Sequence, residues 1–440
     1  YRSVISLARV MPLEPIGIPP DAVKSGIAMV ICVAWGARMK VLNSRRAAEI
    51  VVLIGAVLMA SCGGGGSGGG SGEAPAVQRG LSVVIGDPDS ERGLMLSKSE
   101  DQYFTTMTMA PSGVLYLAYD CAIRRVGSDN TVQDFVGGTC GYSDGSGSAA
   151  RFNRIYGVAS DGDGNLFVSD TGNAVIRKVS PSGQVTTVSG AAGEAAVVDG
   201  PAGSVRWMAP RELAVDRGGN VFVVDSLYAH RTSGRQVRKL LTSGEVQSVA
   251  GGSLGEYSIP GRMAVDSAGS LYLTVKKGSL MVCIDQCRGF FNSSSVLKID
   301  TTGHASTLAG STMIGAIGAV DGPANGARFR YAEGIAVDGV GNVYVSDVFN
   351  EAIRKIGPDG SVSTVIGVLP ENVPDTSVSG FNYVIGGTVA TGALPGRLRL
   401  PDALAIGPDN SLYISVARWK DYYEEPFSSG KGFAVLRAVF

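Results

Sequence analysis

The chain has 440 residues, of which 45% are hydrophobic, and this is enough apolar material for one or two globular cores. Its 38 basic and 39 acidic residues are scattered, and the net charge of −1 excludes both a basic nucleic-acid-binding surface and an acidic disordered tail. The 62 glycines predict many tight turns and argue against a helical fold.

The first residues differ from the rest of the chain. Residues 1–38 share nothing with the pattern that fills the remainder, and we interpret them as an upstream extension of the reading frame. Residues 39–61 are typical of a signal peptide, because basic residues precede a short apolar run. That run is too short to span a hydrocarbon core of about 30 Å.

The stretch Leu58-Met59-Ala60-Ser61-Cys62 resembles a bacterial lipobox. The resemblance implies that Cys62 is lipidated and becomes the mature N-terminus, so that a lipid anchors the chain to a membrane. The alternative is an ordinary signal peptide that is cut near Ala60. Residues 62–79 are rich in glycine and serine, and this composition predicts a flexible tether.

Residues 80–440 contain six copies of one pattern, which is clearest in DGPANGARFRYAEGIAVDGVGNVYVSDVFNEAIRKIGPDGSVSTVIG, residues 321–367. The second strand of each copy is expected to begin at the aligned residues Leu115, Leu166, Val221, Leu271, Val343 and Leu412. Each copy predicts four short antiparallel strands, called a to d, that are separated by turn pairs such as Gly341-Asn342. Because such a unit cannot bury both faces alone, we predict an all-β, six-bladed β-propeller.

The two ends of the repeated region are complementary. The last copy stops at its third strand, residues 434–440, and residues 81–86 match the missing fourth strand. We therefore predict that these two segments pair and close the ring, which leaves no sheet edge open at the seam. The competing arrangements are an open stack and a five-bladed ring with a separate tail.

The pattern DG…ARF…GIAVD…GNVYVSD…N…IRK resembles the bacterial form of the NHL-repeat propellers over residues 80–440. The resemblance implies the fold. It leaves the function open, because proteins of this kind include scaffolds, sensors, nucleic-acid binders and enzymes.

Loop lengths distinguish the two faces of the predicted disc. The a–b hairpins stay tight, whereas inserted residues enter at b–c positions and in the long d–a connections, which share the opposite face. The start of strand a on that elaborated face predicts a channel mouth at Tyr156, Arg211, Gly261, Glu333 and Asp402. Arginine and aromatic side chains are common binding anchors, so we predict a binding site that combines this mouth with loop residues Tyr228, His230, Phe290, Trp419, Tyr422 and Tyr423.

Four cysteines follow Cys62 in the repeated region. Cys121 and Cys140 fall on the elaborated face, and Cys283 and Cys287 lie in one inserted loop. Two disulfides fit an oxidising compartment, and buried free thiols are the alternative.

Repeated charged residues point to structural roles. The spacing of seven in Asp144/Arg151, Asp199/Arg206 and Asp321/Arg328 predicts contacts that hold the d–a connections. Asp170, Asp225 and Asp347 end strand b, where we expect them to stabilise turns.

Enzymatic chemistry finds little support. With only His230 and His304, a multi-histidine zinc site of the peptide-amidating-lyase type is excluded. Gluconolactonase-type and streptogramin-lyase-type propellers use a divalent metal at the channel, where Glu333 and Asp402 could contribute. We expect no metal and no cofactor, and keep a metal-dependent lyase or lactonase as the alternative.

We therefore predict a monomeric, lipid-anchored protein of the bacterial cell envelope, facing the periplasm or the cell surface. Its expected partner is a protein or a glycan that binds the elaborated face, and no nucleic acid is expected.

Overall fold

The computed structural model describes residues 79–86, 104–225, 235–253, 258–278, 291–313, 315–369, 394, 396, 398–416 and 434–440. All of them belong to the compact unit Ala76–Phe440. In these described segments, no helix is long and apolar enough to cross a membrane.

The strands form six sheets, which are the blades 1 to 6 of a propeller. Strands a are Phe104–Met109, Ile155–Ser160, Pro210–Val215, Ser258–Val265, Ala332–Val337 and Pro401–Ile406. Strands b are Leu115–Tyr119, Leu166–Asp170, Val221–Asp225, Leu271–Gly278, Val343–Asp347 and Leu412–Val416. Strands c are Ala122–Val126, Val175–Val179, Gln236–Leu240, Phe291–Ile299, Ala352–Ile356 and Ala434–Val439. Strands d are Val132–Gly137, Gln184–Gly190, Val246–Ser253, Ala305–Gly310, Val362–Ile366 and Gly80–Ile85. The prediction of an all-β, six-bladed propeller is confirmed, and strand b begins at the predicted residue in every blade.

The local sequence explains how each blade forms. Strand b is apolar and lies between strands a and c, so its residues in blade 5, Val343–Asp347, are all buried. The a–b turn of that blade closes with the Gly341 amide donating to the Asp338 carbonyl at 3.1 Å. Gly341 has a φ of 88°, a conformation that glycine adopts without steric cost.

The ring closes as the sequence predicts. Strand a of each blade contacts strand a of the next one, and strand a of blade 6 contacts that of blade 1. The N-terminal strand Gly80–Ile85 pairs antiparallel with Ala434–Val439, with Leu81 opposite Ala438. Strand d of the last blade therefore comes from the N-terminal end of the repeated region, and its pairing with strand c at residues 434–439 completes that blade.

Blades 2, 3 and 5 share a buried cluster, which we call the strand-c cluster. Its centre is Arg177, Arg238 or Arg354, and each of these side chains is 0% exposed. In blade 2, Arg177 donates to Asp170 at 2.8 Å, to Asp144 at 2.7 Å and to the Arg151 carbonyl at 3.1 Å. Its guanidinium also lies 5.1 Å from the ring centroid of Phe152. The cluster thus fixes the d–a connection to its own blade.

The structure adds to two structural assignments from the sequence. Backbone hydrogen bonds hold each spacing-of-seven connection, as between Val320 and Arg328, and the aspartate of each pair bonds to the strand-c arginine, as Asp321 does to Arg354. The aspartate that ends strand b does more than cap a turn, since Asp347 is a fully buried partner of the same arginine at 2.8 Å. The cause is the register of strands b and c, which places Arg354 opposite Val345, two residues before Asp347 and therefore on the same face of the blade.

Cys121 and Cys140 form a disulfide with a Cα–Cα distance of 5.0 Å, as predicted. It joins the b–c turn of blade 1 to the connection that leads into blade 2. Asp120 lies beside the two sulfurs, but because both are already bonded to each other, this group does not make a metal site.

Several predicted residues lie outside the described residues. These are the lipidation site, the second cysteine pair and the aromatic and histidine side chains of the inserted loops: Cys62, Cys283, Cys287, Tyr228, His230, Phe290, Trp419, Tyr422 and Tyr423. Residues 1–38, 39–61 and 62–78 are outside them as well.

Candidate functional site at the channel mouth

A β-bulge interrupts strand a of every blade close to the channel mouth. In blade 3, Pro210 is opposite Asp225 and Leu213 is opposite Val223, so Arg211 and Glu212 share one partner on strand b. A bulge re-aims the side chains that it contains. The bulges therefore decide which residues are presented at the mouth.

The blades fill these bulges differently. Gly157, Gly334 and Ala403 occupy one aligned position in blades 2, 5 and 6, where Glu212 and Arg262 stand in blades 3 and 4. A Cβ on Gly334 would lie 1.9 Å from the Asp402 carbonyl oxygen, so blades 5 and 6 touch through their backbones there. A bulged position that elsewhere demands a small residue thus carries two large charged side chains in adjacent blades.

Arg262 spans three blades. Its guanidinium, with the residue only 9% exposed, donates to Glu212 of blade 3 at 3.4 Å and to both oxygens of Asp402 in blade 6 at 3.3 and 3.2 Å. The Arg262 amide donates to the Thr274 hydroxyl at 3.0 Å, which holds the bulge against strand b. Arg262 therefore links blades that are far apart in sequence.

Lys276 makes a second ion pair beside the first. It stands near the end of strand b of blade 4, is 2% exposed, and donates to Glu333 of blade 5. Its ammonium also lies 4.0 Å from the ring centroid of Tyr331, a cation–π distance. The Thr274 hydroxyl donates to the Glu333 carbonyl at 2.7 Å and joins the two blades at this point.

Tyr156 of blade 2 and Arg211 of blade 3 also join two neighbouring blades. Arg211 donates to the Tyr156 hydroxyl at 3.2 Å, and its guanidinium carbon is 4.5 Å from the centroid of the tyrosine ring. Both residues are half-buried. With the two ion pairs they form what we call the mouth cluster: Tyr156, Arg211, Glu212, Arg262, Lys276, Tyr331, Glu333 and Asp402.

Burial governs protonation within the mouth cluster. It raises the pKa of Glu212 to about 7, although Arg262 opposes that shift, and it raises the pKa of Asp402. Burial also raises the pKa of Tyr156. Burial disfavours the charged form of Lys276, but attraction to Glu333 and Tyr331 outweighs it and leaves the pKa of Lys276 above its ordinary value. At neutral pH, Lys276 is thus a cation and a poor nucleophile.

Of the predicted binding residues, the structure brings Tyr156, Arg211, Glu333 and Asp402 together at the mouth. The sequence reasoning missed Glu212, Arg262, Lys276 and Tyr331, and it chose Gly261 as the contribution of blade 4. One signal could have found two of them, since Glu212 and Arg262 replace the small residues of the other copies at the aligned bulge position.

Comparisons with known proteins bear on the fold. No protein-family model and no curated protein sequence matches the chain. Among solved structures, an auxiliary nutrient binding protein from Bacteroides thetaiotaomicron is similar, with 12% identity, a TM-score of 0.50, and coverage of 82% of this chain and 76% of that one.

Two enzymes are more distant in shape. A gluconolactonase from Xanthomonas campestris shares 13% identity over 84% of this chain and 94% of its own, with a TM-score of 0.45. A streptogramin B lyase shares 10% identity over 82% of this chain and 98% of its own, with a TM-score of 0.42. At such identities the likeness concerns the fold, and function has to be argued from the site.

Proposed function

We propose that this protein is an exported, lipid-anchored propeller that binds a protein or glycan partner through its elaborated face, with the mouth cluster at the centre of the binding surface. The observation that carries the proposal is the side chain of Arg262, which crosses from blade 4 to Asp402 of blade 6. The blade fold does not require this contact, because blades 2, 5 and 6 have glycine or alanine at the position of Arg262. Charged side chains of blades 3, 4, 5 and 6 converge at this place, and such convergence of polar groups supports a binding site.

The ion pairs favour binding over metal-dependent catalysis. Glu333 and Asp402, the carboxylates that could hold a divalent cation, already contact Lys276 and Arg262. A metal ion would have to displace both of these buried cations, or else suffer their repulsion. The rival proposal of a metal-dependent lyase or lactonase therefore requires a rearranged mouth, whereas binding uses the mouth as it stands.

The proposed location rests on two features. The lipobox-like segment before Cys62 supports export and anchoring. The disulfide between Cys121 and Cys140 is typical of an oxidising compartment such as the bacterial periplasm or cell surface. Radiolabelled palmitate should label the wild-type protein in cells, and Cys62→Ala should abolish that labelling. Retained labelling would contradict the anchor.

Binding can be tested by capture from envelope extracts. The immobilised wild-type propeller should retain a partner that is lost from Asp402→Asn and from a deletion of residues 418–432. The matched control is Asp409→Asn, because Asp409 lies in an a–b turn on the opposite face and pairs with Arg437. Unchanged capture by the mouth variants would refute the assigned surface.

The rival enzyme predicts a different result. Calcium, magnesium or zinc would shift the thermal unfolding midpoint saturably, and Glu333→Gln with Asp402→Asn would abolish the shift. We expect no saturable shift in the wild-type protein.

A further inference from the structure

The mouth cluster has equal numbers of positive and negative groups. Arg211, Arg262 and Lys276 are cations, and Glu212, Glu333 and Asp402 are carboxylates, so the fully ionised cluster has no net charge, and partial protonation of Glu212 near pH 7 adds less than one positive charge. A site steers a charged ligand by presenting an excess of the opposite charge. This cluster therefore attracts anions only weakly over a distance and does not attract cations.

The ion pairs of Arg262 at the mouth are also longer than those of the buried strand-c arginines. Arg262 contacts Glu212 at 3.4 Å and Asp402 at 3.2 Å, whereas Arg354 contacts Asp321 at 2.6 Å and Asp347 at 2.8 Å. Charge-assisted hydrogen bonds have their optimum at about 2.7–2.9 Å. The Glu212 and Asp402 carboxylates thus keep acceptor capacity that their contacts with Arg262 do not fully use.

The exposed side of the cluster is where a ligand can reach that capacity. The Asp402 side chain is 33% exposed and that of Glu333 is 20% exposed, while Glu212 and Arg262 lie deeper. A carboxylate accepts up to about four hydrogen bonds and donates none. A guanidinium donates hydrogen bonds but accepts none. A hydroxyl group does both, so it can bridge a carboxylate and the cation next to it.

Charged ligand groups fit worse at the same place. An incoming carboxylate or phosphate would satisfy Arg262 but would approach Asp402, Glu212 and Glu333 at short range. An incoming ammonium group would pair with the carboxylates, but Arg262 and Lys276 would repel it at short range. Like charges brought together in a partly buried site raise the free energy of binding, which selects against both classes.

We infer that the mouth cluster binds an uncharged, hydroxyl-rich ligand of the saccharide class, whose hydroxyl groups bridge Asp402 to Arg262 and Glu333 to Lys276. The half-buried rings of Tyr156 and Tyr331 stand beside these pairs and supply the apolar surface that a sugar ring needs. This inference rests on the proposed binding function and narrows it to one ligand chemistry.

The test is isothermal titration calorimetry of the full propeller with four hexasaccharides. Cellohexaose and N-acetylated chitohexaose are neutral, hexagalacturonate is anionic, and the chitosan hexamer is cationic. We expect binding of at least one neutral probe, with a Kd that changes less than about twofold between 50 and 500 mM NaCl, since an uncharged ligand has no long-range Coulomb attraction to the site that salt could screen.

Variants locate the bound probe. Asp402→Asn should weaken binding of the neutral probe about tenfold or more, since hydrogen bonds to a charged group are the stronger ones. Glu333→Gln tests the second pair in the same way. Asp409→Asn, on the opposite face, should leave the Kd unchanged.

The outcomes separate this inference from the proposed function. Tighter binding of hexagalacturonate or chitosan, with a Kd that rises steeply with salt, overturns the neutral-ligand inference, as does neutral binding that ignores Asp402→Asn and Glu333→Gln. Absence of binding to both neutral probes, while envelope capture still depends on the mouth, overturns the inference and leaves the binding function standing. If neither neutral probe binds and envelope capture does not depend on the mouth, both the saccharide inference and the proposed binding function are overturned.

Discussion

The molecule buries arginine in two different ways, in the strand-c clusters and in the mouth cluster. Arg177, Arg238 and Arg354 occupy the same position in three blades, and each donates to two aspartates and to main-chain carbonyls. Arg262 occurs once, at a position where blades 2, 5 and 6 place glycine or alanine, and it contacts carboxylates of two other blades. Repeated charges therefore stabilise the individual blade, whereas a charge that breaks the repeat marks the candidate site.

Protonation alone does not distinguish the two kinds of cluster. Burial raises the pKa of Asp170 in a strand-c cluster to about 6, and it raises the pKa of Glu212 in the mouth cluster to about 7. The difference lies in the partners. The strand-c arginines make short bonds to their own blade and its connection, whereas the mouth pairs run between blades, and the bonds of Arg262 are longer than those of the strand-c arginines.

The remaining blades show what replaces the strand-c arginine. In blades 4 and 6 the aspartate–arginine pair is absent, and Val275 with Leu297 or Val416 with Leu436 stand in its place. An apolar pair can stabilise a core as well as a buried ion pair does, because it avoids the cost of desolvating two charges. These two positions of strands b and c can therefore hold either an aspartate–arginine ion pair or two apolar residues, provided that both positions change together.

The largest expected effect follows from that covariation. Arg354→Leu leaves the fully buried carboxylate of Asp347 without its cation, and we expect the free energy of unfolding to fall by about 3–5 kcal/mol. The double variant Asp347→Val/Arg354→Leu copies blades 4 and 6 and should recover much of that loss. Urea denaturation measures both values.

Blade 1 offers the matched control for this comparison. Arg124 occupies the equivalent strand position but pairs with Asp134, whose side chain is 86% exposed. Arg124→Leu should cost about 1 kcal/mol or less, as surface ion pairs do. A loss as large as that of Arg354→Leu would show that burial does not distinguish the two arginines.

A smaller loss is expected where blade 5 meets blade 6 at the mouth. Gly334→Ala would place a methyl group against the Asp402 carbonyl, which is main chain and cannot move aside cheaply. We expect the free energy of unfolding to fall by about 1–3 kcal/mol. The control is Gly162→Ala in an a–b turn, where an added Cβ meets nothing within 4 Å, and equal effects of the two variants would contradict the close contact.

The fold was predictable because its signals are local and repeated. Turn pairs, strand-b hydrophobic residues and the half-repeats at the two ends specify the blades and their closure without knowledge of long-range contacts. The same logic located four mouth residues, because the start of strand a has to lie on the channel.

The rest of the mouth could not be read in this way, for physical reasons. A β-bulge depends on the pairing of two strands and leaves no motif in the sequence, so Gly261 was chosen where Arg262 carries the contact. Lys276 and Tyr331 belong to other elements and come together only through the ring. The preference of Asp144 for Arg177 over Arg151 likewise depends on how the connection packs against strand c.

The last prediction concerns pH, and it tests whether burial at the mouth disfavours the charged form of the Glu212 carboxyl. Glu212 faces Arg262, Glu333, Asp402 and Arg211, and its pKa is about 7 in the folded protein against an ordinary 4.5. Between these pH values the folded protein keeps a proton that the unfolded chain has released, so this group makes the free energy of unfolding fall as pH rises from about 4.5 to about 7. Glu212→Gln cannot titrate. The variant should therefore gain stability relative to the wild type as pH rises from 5 to 8 in urea denaturation, and the gain should persist at high salt because the group is buried. A difference between the two proteins that stays constant over this range would mean that Glu212 ionises in the mouth as readily as it does in water.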